Sequence, residues 1–416
     1  MLNRFHLSLV TSLLLISCTI EEPDKQKTPI LNQIPFIVIT THDTIVKESY
    51  TNMMLEVNYN GFDNCFDTYS YNGAIRVRGN STASQPKKPY KLKISSKPNI
   101  FGMGNENKWV LLANYFDVTL LRNHIANKIG KALKLKSTPD GVFVDVFLNQ
   151  EYVGNYYLTE QIELSKNRVQ GQIVFEVDHK FHDDEVVIRF PDVFEENGLP
   201  YVFKDPEKPT SEQFNFYESY LQNFYNQIDS YATEGYKIDT YQFNELIVPE
   251  SWFAYHIVQE LFKNPDAWSF SSIYFTITDD DRIYMGPLWD FDLSAGNYSA
   301  LDPDHHDIQK FNDPQGAYIF TNMFVKAVNI SYYSQFKEYW NNNKDTILSV
   351  INSIDSEYET IKLSSESNFQ KWSVGNYRFN NQCENTLDDN VDYLKHFLIQ
   401  RYHWMDEYIN NIQNFQ

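Results

Sequence analysis

Cysteine is scarce in this chain, with three in 416 residues. Only Cys65 and Cys383 lie beyond the first few turns of sequence, and nothing local predicts a bridge between positions so distant. They leave room for a single disulfide in an exported protein, and no paired-cysteine spacing supports a zinc site. Long apolar runs are lacking too. The one near the N-terminus covers residues 7–16, and a bilayer-spanning helix needs about 20 such residues. Cationic charge is in short supply, with 35 Lys and Arg against 55 Asp and Glu for a formal net charge of -20. Nucleic acid and anionic lipid are therefore poor partners on global electrostatics. Internal repeats are missing as well, which excludes a solenoid or propeller.

What is present begins with an export signal. Arg4 precedes the short apolar run, and Leu15-Ile16-Ser17-Cys18 has the pattern of a lipobox. The expected mature chain starts at Cys18, diacylglyceryl-modified and held at a membrane surface facing the periplasm or cell exterior. The competing reading is an ordinary cleaved signal with an incidental cysteine. Residues 18–33 are charged, proline-bearing and without apolar period, as in a flexible tether. The mature chain is long enough for one large two-lobed core or two domains. It is expected to be a monomer that meets the membrane only through its lipid.

Residues 34–94 alternate with period two, for example Phe36, Val38 and Thr40, then Leu55, Val57 and Tyr59, and predict an antiparallel sheet. Leu121, Ile125, Ile129 and Leu133 recur every fourth residue and predict an amphipathic helix between 117 and 135, with Asp117 as N-cap. The turn chemistry of 138–141 opens a hairpin whose strand carries Val142, Val144, Val146 and Leu148 and which turns at Asn149-Gln150. Beyond an acidic stretch at 183–196, segments 211–231, 240–263 and 330–414 have helical spacing. Two short strands, 273–278 and 283–286, interrupt them and are joined by Asp279-Asp280-Asp281. That triplet reads as a solvated turn rather than a calcium loop. The fold class expected is α+β, with a β-rich N-terminal lobe over 34–205 and a mostly helical lobe over 206–416.

Three places carry chemistry. In RGNSTASQPKKPYKLKI, residues 78–94, alternation puts Arg76 and Arg78 on one strand face and Lys91 and Lys93 on one face of the next. If the strands pair, like charges stack at a cost that a polyanion relieves. The connecting Gly79-Asn80-Ser81-Thr82 offers the backbone amides and hydroxyls of a phosphate loop. The bland alternative is a solvated basic face. In GPLWDFDLSAGN, residues 286–297, Asp290 and Asp292 are two apart, so an extended segment would send both carboxylates to one face, where they could share a divalent ion. A turn role for one Asp and a glycosidase carboxylate pair compete with that reading. In NPDAWSFSSIYF, residues 264–275, Asp266 stands between a helix and a strand, where it could accept a proton from an attacking hydroxyl. Asn-Pro-Asp is also ordinary turn chemistry. The run Asp302, Asp304, His305, His306 and Asp307 has ligand-type residues but reads first as a solvated loop. A basic clamp, then a base, then a metal ligand after two short strands is the parts order of phosphoryl transfer.

With WVLLANYFDVTLLRNHIANKIG at 109–130 and VDVFLNQEYVGNYYLTEQIE at 144–163, these blocks resemble the CotH kinase family from about residue 35 to 329. The resemblance implies an atypical protein-kinase-like fold, ATP as donor, Mg2+ or Mn2+, and transfer to Ser or Thr hydroxyls of a protein. It makes Asp266 the catalytic base and Asp290 the metal-binding counterpart of the Asp in a kinase DFG motif, with Asp292 a second ligand. Lys88, Lys91 and Lys93 are candidates for the phosphate-contacting lysine, with Arg78 and Asn80 beside them and Glu160 to orient it. Arg122 and Asn123 are read either as active-site support or as helix packing. One departure is Ser271 and Ser272, where some members carry an Asn as second metal ligand. It keeps a pseudokinase that only binds nucleotide, or a structural surface protein, open as the alternative, with a carbohydrate-active protein behind them.

Overall fold

A computed structural model of the chain describes residues 33–189, 198–234, 243–268, 271–297, 332–372 and 386–411. The signal and tether with Cys18, the 302–307 cluster and Cys383 lie outside the described residues. Among the described residues no helix is long and apolar enough to cross a membrane.

Alternating residues build a barrel from the first half of the chain. Strands β1 (Phe36–Thr40), β2 (Thr51–Asn58), β3 (Thr68–Val77), β4 (Tyr90–Ile94), β5 (Lys108–Leu112), β6 (Gly141–Leu148) and β7 (Glu151–Glu160) close in the order β1-β2-β3-β4-β5-β7-β6. Every pairing is antiparallel except the closure, where β1 runs parallel to β6 with Ile37 opposite Val146. Inward side chains such as Ile37, Leu55, Ile75, Leu92, Trp109 and Leu158 fill the interior and are almost wholly buried. The expected sheet and hairpin are thus parts of one closed surface. The turn at Asn149 and Gln150 has positive φ at both residues (49° and 70°), the geometry a two-residue hairpin favours.

The predicted helix forms as α1 (Arg122–Ala132), starting five residues later than Asp117 suggested. Its apolar positions Leu121, Ile125, Ile129 and Leu133 are buried as expected. Asp117 serves the helix start from a preceding turn: its carboxylate accepts the Arg122 amide at 2.9 Å and the Thr119 amide at 3.0 Å.

A second sheet has the order β12-β11-β8-β10-β9, using β8 (Ile173–Val177), β9 (Val187–Ile188), β10 (Tyr201–Asp205), β11 (Ile273–Ile277) and β12 (Ile283–Met285). The boundary expected at 205 therefore falls inside a structural unit, because β8 pairs directly with β11, Glu176 opposite Tyr274. One face of this sheet, with Ile173, Phe175, Val177, Phe203 and Phe275, belongs to the large core shared with the helices. Those helices are α2 (Ser211–Glu234), α3 (Pro249–Phe262), the short α4 (Pro265–Trp268), α5 (Tyr333–Asn352), α6 (Ile354–Lys371) and α7 (Leu387–Asn411). Within the segment read as 240–263, helix α3 starts at Pro249, a residue suited to a first helical turn because it has no amide to leave unpaired.

Helix α6 seats on the barrel at β7. Asn368 accepts the Asn155 amide at 3.2 Å, and the Trp372 indole donates to the Val153 carbonyl at 3.0 Å. Gly154 permits this approach: its φ is 116°, and an added Cβ would stand 2.7 Å from Asn368 Oδ1. The arrangement is mixed α+β, with a β-rich N-terminal part and helices towards the C-terminus.

Candidate active site

The outer face of β3, β4 and β5 carries the cationic row. Arg76 pairs with Lys91, and Ala74 with Lys93, in the β3–β4 register; Lys93 faces Lys108 across β4–β5. Ile75, Val77, Leu92 and Ile94 point inward and are buried, so the alternation read from sequence holds. Lys108 is ion-paired with Glu163 at 2.7 Å, while Lys91 lies among cations. Burial, reinforced by Arg76, Lys108 and Arg78, pulls the Lys91 ammonium down to about 8, with Glu207 opposing. The Nε of Arg76 is buried with no hydrogen-bond partner, although its guanidinium lies over the Tyr50 ring at 5.0 Å.

The second sheet meets this face. Val110 of β5, outward beside Lys91, packs in one cluster with Val174 of β8, Tyr274 of β11, Trp289, Ile162 and Val169. Arg78, just past the end of β3, lays its guanidinium over Trp289 at 5.3 Å, and Asp290 is the next residue. The arginine's charge acts on that carboxylate: burial raises the Asp290 pKa above the usual range, and Arg78 is the largest influence pulling it back. The Ser272 hydroxyl donates to Asp290 Oδ2 at 3.4 Å, while Ser271 donates to Asp178 Oδ1 at 3.1 Å. Asp178, immediately after β8, adds a second negative charge to Asp290, and Lys180 a positive one.

The loop bearing Asp290 is held by its backbone from two sides. The Asn264 side chain donates to the Asp290 carbonyl at 3.2 Å, and the Phe291 amide donates to Asn123 Oδ1 at 2.8 Å. Arg122, buried and ion-paired with Asp117 at 2.5 Å, donates through Nε to the Ser294 carbonyl at 2.9 Å. The Leu-Leu-Arg-Asn run therefore anchors the Asp-Phe-Asp loop as well as packing its helix. Asn264 also ties in the turn leading to α4, the helix that carries Asp266. The Asp266 side chain lies outside the described residues.

Other expected residues sit differently. Asp290 has φ 64°, so the segment is not extended and the period-two reason for pairing Asp290 with Asp292 does not apply. Asp292 is buried, and its carbonyl accepts the Asn297 side chain at 2.6 Å. Lys88 donates to the Ala83 carbonyl at 2.8 Å, bracing the β3–β4 loop in which Asn80 is exposed. Lys93 is exposed. Glu160 accepts the Asp140 amide at 2.8 Å and faces Arg168 at 3.9 Å; burial raises its pKa to about 7, opposed by Arg168 and Lys131.

Two residues went unremarked in the sequence. Lys87 is 1% exposed and donates to the carbonyls of Ala113 at 2.7 Å and Asn155 at 2.5 Å, pinning the basic loop to β5 and β7. Its neighbour Lys88 drew the reading because burial is not visible in a Lys-Lys pair. Asp178 ends the run Ile-Val-Phe-Glu-Val-Asp; a carboxylate closing a buried, mostly apolar strand is the available signal.

Among the described residues no group of three or more His, Cys, Asp or Glu side chains could hold a metal ion. A magnesium-type ion needs less than that from protein, since it takes one or two carboxylates and completes its shell with water and phosphate oxygens. Asp290, Asp178 and the two serine hydroxyls are hard oxygen donors and fit that requirement.

A family model described as CotH kinase protein matches residues 75–405, most of the chain. No curated protein matches it.

Proposed function

The chain belongs to the CotH kinase family, and from that premise we propose that it is an ATP- and divalent-metal-dependent phosphotransferase acting on Ser or Thr hydroxyls of a protein. In this reading the barrel and the helical body act as the small and large lobes of an atypical protein kinase, and nucleotide lies between them. The observation that carries the proposal is Arg78 stacked on Trp289 beside Asp290: it joins the cationic barrel face to the carboxylate loop.

Arg76, Arg78 and Lys91 take the phosphates, and the loop around Asn80 covers them. Asp290 would hold Mg2+ or Mn2+, with Asp178, whose charge acts on Asp290, as the second carboxylate in place of Asp292 and Ser272 contributing a hydroxyl. When bound, the ion neutralises charge on the β- and γ-phosphates. Asp266 accepts the proton of the acceptor hydroxyl as its oxygen bonds the γ-phosphorus; the bond to the bridging oxygen breaks and ADP departs. Lys88 braces the loop, Lys93 is exposed, and Glu160 secures the turn at Asp140. We also infer export as a lipoprotein through Cys18, to a membrane surface facing the periplasm or cell exterior, with the folded body a monomer.

Ser271 and Ser272 favour a second reading, a protein that binds nucleotide without transferring phosphate. Incubation with γ-labelled ATP and Mg2+ or Mn2+ separates the two, using autophosphorylation and a mixed protein acceptor as readouts. Label on Ser or Thr that is lost in Asp290→Asn and Asp266→Ala supports transfer. Nucleotide-dependent thermal stabilisation without label selects the second reading. Neither label nor stabilisation overturns both.

A further inference from the structure

At the end of the barrel opposite Arg78, the β2–β3 hairpin presents an aromatic tip. Tyr59 and Phe62 pack on Phe101 with ring centroids 4.6 and 5.1 Å apart, and Tyr59 meets Tyr69 at 5.5 Å. The tip is braced from within: the Tyr59 hydroxyl accepts the Phe101 amide at 2.9 Å, and the Gly61 amide donates to the Cys65 carbonyl at 2.8 Å. On this platform Phe66 is 77% exposed and Tyr69 41%. A Phe displayed to that extent on a braced turn gains little burial from the fold itself.

The position of the N-terminal segment says what covers it. Asn60, in the same tip, donates through Nδ2 to the Ile34 carbonyl at 2.8 Å, so the chain joins the fold beside Phe66. We propose that this tip, led by Phe66, is a contact for the membrane interface and takes neutral, zwitterionic lipid; the proposal rests on the lipid-anchor reading of Cys18. Tyr favours the headgroup level, and an interfacial Phe buries at the headgroup–acyl boundary. The flanking Asp63 and Asp67, with the chain's net charge of -20, select against anionic lipid.

The contact need not be strong. Residues 18–33 number 16, and a chain of that length spans at most about 55 Å even fully extended. Tethering over so short a reach gives an effective concentration on the millimolar scale, at which one shallow aromatic contact suffices to orient the body. Strand β3 runs from Thr68 at the tip to Val77 at the cleft, about 33 Å for its ten residues. A docked tip therefore turns the Arg78 end away from the headgroups, where a protein acceptor can reach it.

Cys65 is a native reporter, since it is partly exposed with a free thiol and precedes Phe66. The full acylated chain, with Cys383→Ser and a protease site placed within residues 19–33, is bound to phosphatidylcholine vesicles. Modification of Cys65 by a membrane-impermeant maleimide is timed before and after the tether is cut. The proposal expects modification at least about fivefold slower before cutting, and no difference when Phe66→Ser is added. A chain that floats with vesicles but reacts at equal rates before and after cutting overturns the tip contact and leaves the anchor standing. A chain that does not float removes the anchor, and the tip proposal with it.

Discussion

Lys91 and Lys87 show how placement decides chemistry at a single residue. Both are pushed down from the ordinary lysine value of 10.5, Lys87 to about 7 by burial and Lys91 to about 8 by burial and neighbouring cations. In each case the unfolded chain binds more protons than the folded one above those values, so stability rises with pH up to the ordinary lysine range. Removing Lys91 charge should therefore relieve the nucleotide-free protein while harming its binding of phosphate. Lys91→Met is expected to melt at or above the wild-type temperature near pH 7, with the advantage shrinking towards pH 10, and to bind MgATP about tenfold more weakly. Melting curves across that pH range and a nucleotide titration check both halves. A variant that melts lower and binds normally contradicts the assignment.

Glu357 titrates in the opposite sense. Hydrogen bonds and charge from His124 and Lys128 hold its carboxyl down at about 2, against desolvation. A depressed carboxylate stabilises the fold above its ordinary value of 4.5, and that contribution is lost as pH falls towards about 2. Since the side chain is 23% exposed, about 1–3 kcal/mol is a fair expectation after screening. Glu357→Gln should cost that much at pH 7 in urea unfolding and progressively less below pH 4. An equal loss at pH 7 and pH 3 would count against the ion pair as the cause.

Among the elements, α1 carries the most consequence for the site. Arg122 and Asn123 adjoin on it but do different work: Arg122 is buried with Asp117, while Asn123 receives the amide next to Asp290. Breaking the first leaves a buried carboxylate unpaired, and Arg122→Met should destabilise by about 3–5 kcal/mol. Asn123→Leu leaves two neutral groups without their partner, the Phe291 amide and Asn114 Oδ1, at about 1–3 kcal/mol each. Its larger expected effect is at least a tenfold fall in the phosphotransfer rate, with the KM for ATP little changed. Stability and steady-state kinetics measured on both variants separate these roles.

Much of this element-level arrangement was legible beforehand. The charged face of β3 and β4 followed from alternation, because one strand face is buried and the register leaves Arg76 and Lys91 no other side. Helix α1 showed its buried positions, yet its start was misplaced because Asp117 accepts the first helical amide across a turn instead of from the cap position. Asp290 and Asp292 would share a face only on a strand; the backbone instead turns left-handed at Asp290, and local sequence does not reveal that turn.

For the molecule as a whole, the hidden features are those made by distant pairings. Closure of the barrel depends on β1 meeting β6 in parallel, and the second sheet depends on β8 finding β11 nearly 100 residues later. No local period announces either pairing. The β8–β11 pairing brings Asp178 towards Asp290, and packing of that sheet on the barrel sets Trp289 against Arg78, so the candidate site is assembled by topology from residues that are individually unremarkable.

The central claim is that one groove joins the cationic barrel face to the Asp290 loop and holds nucleotide there. A crystal structure with a non-hydrolysable ATP analogue and Mn2+ tests it most directly, since manganese can be located by its anomalous scattering. The account predicts manganese within bonding distance of Asp290 and phosphates against Arg78 and Lys91. Nucleotide bound elsewhere, or manganese away from Asp290 with phosphates out of reach of Arg78, would contradict it.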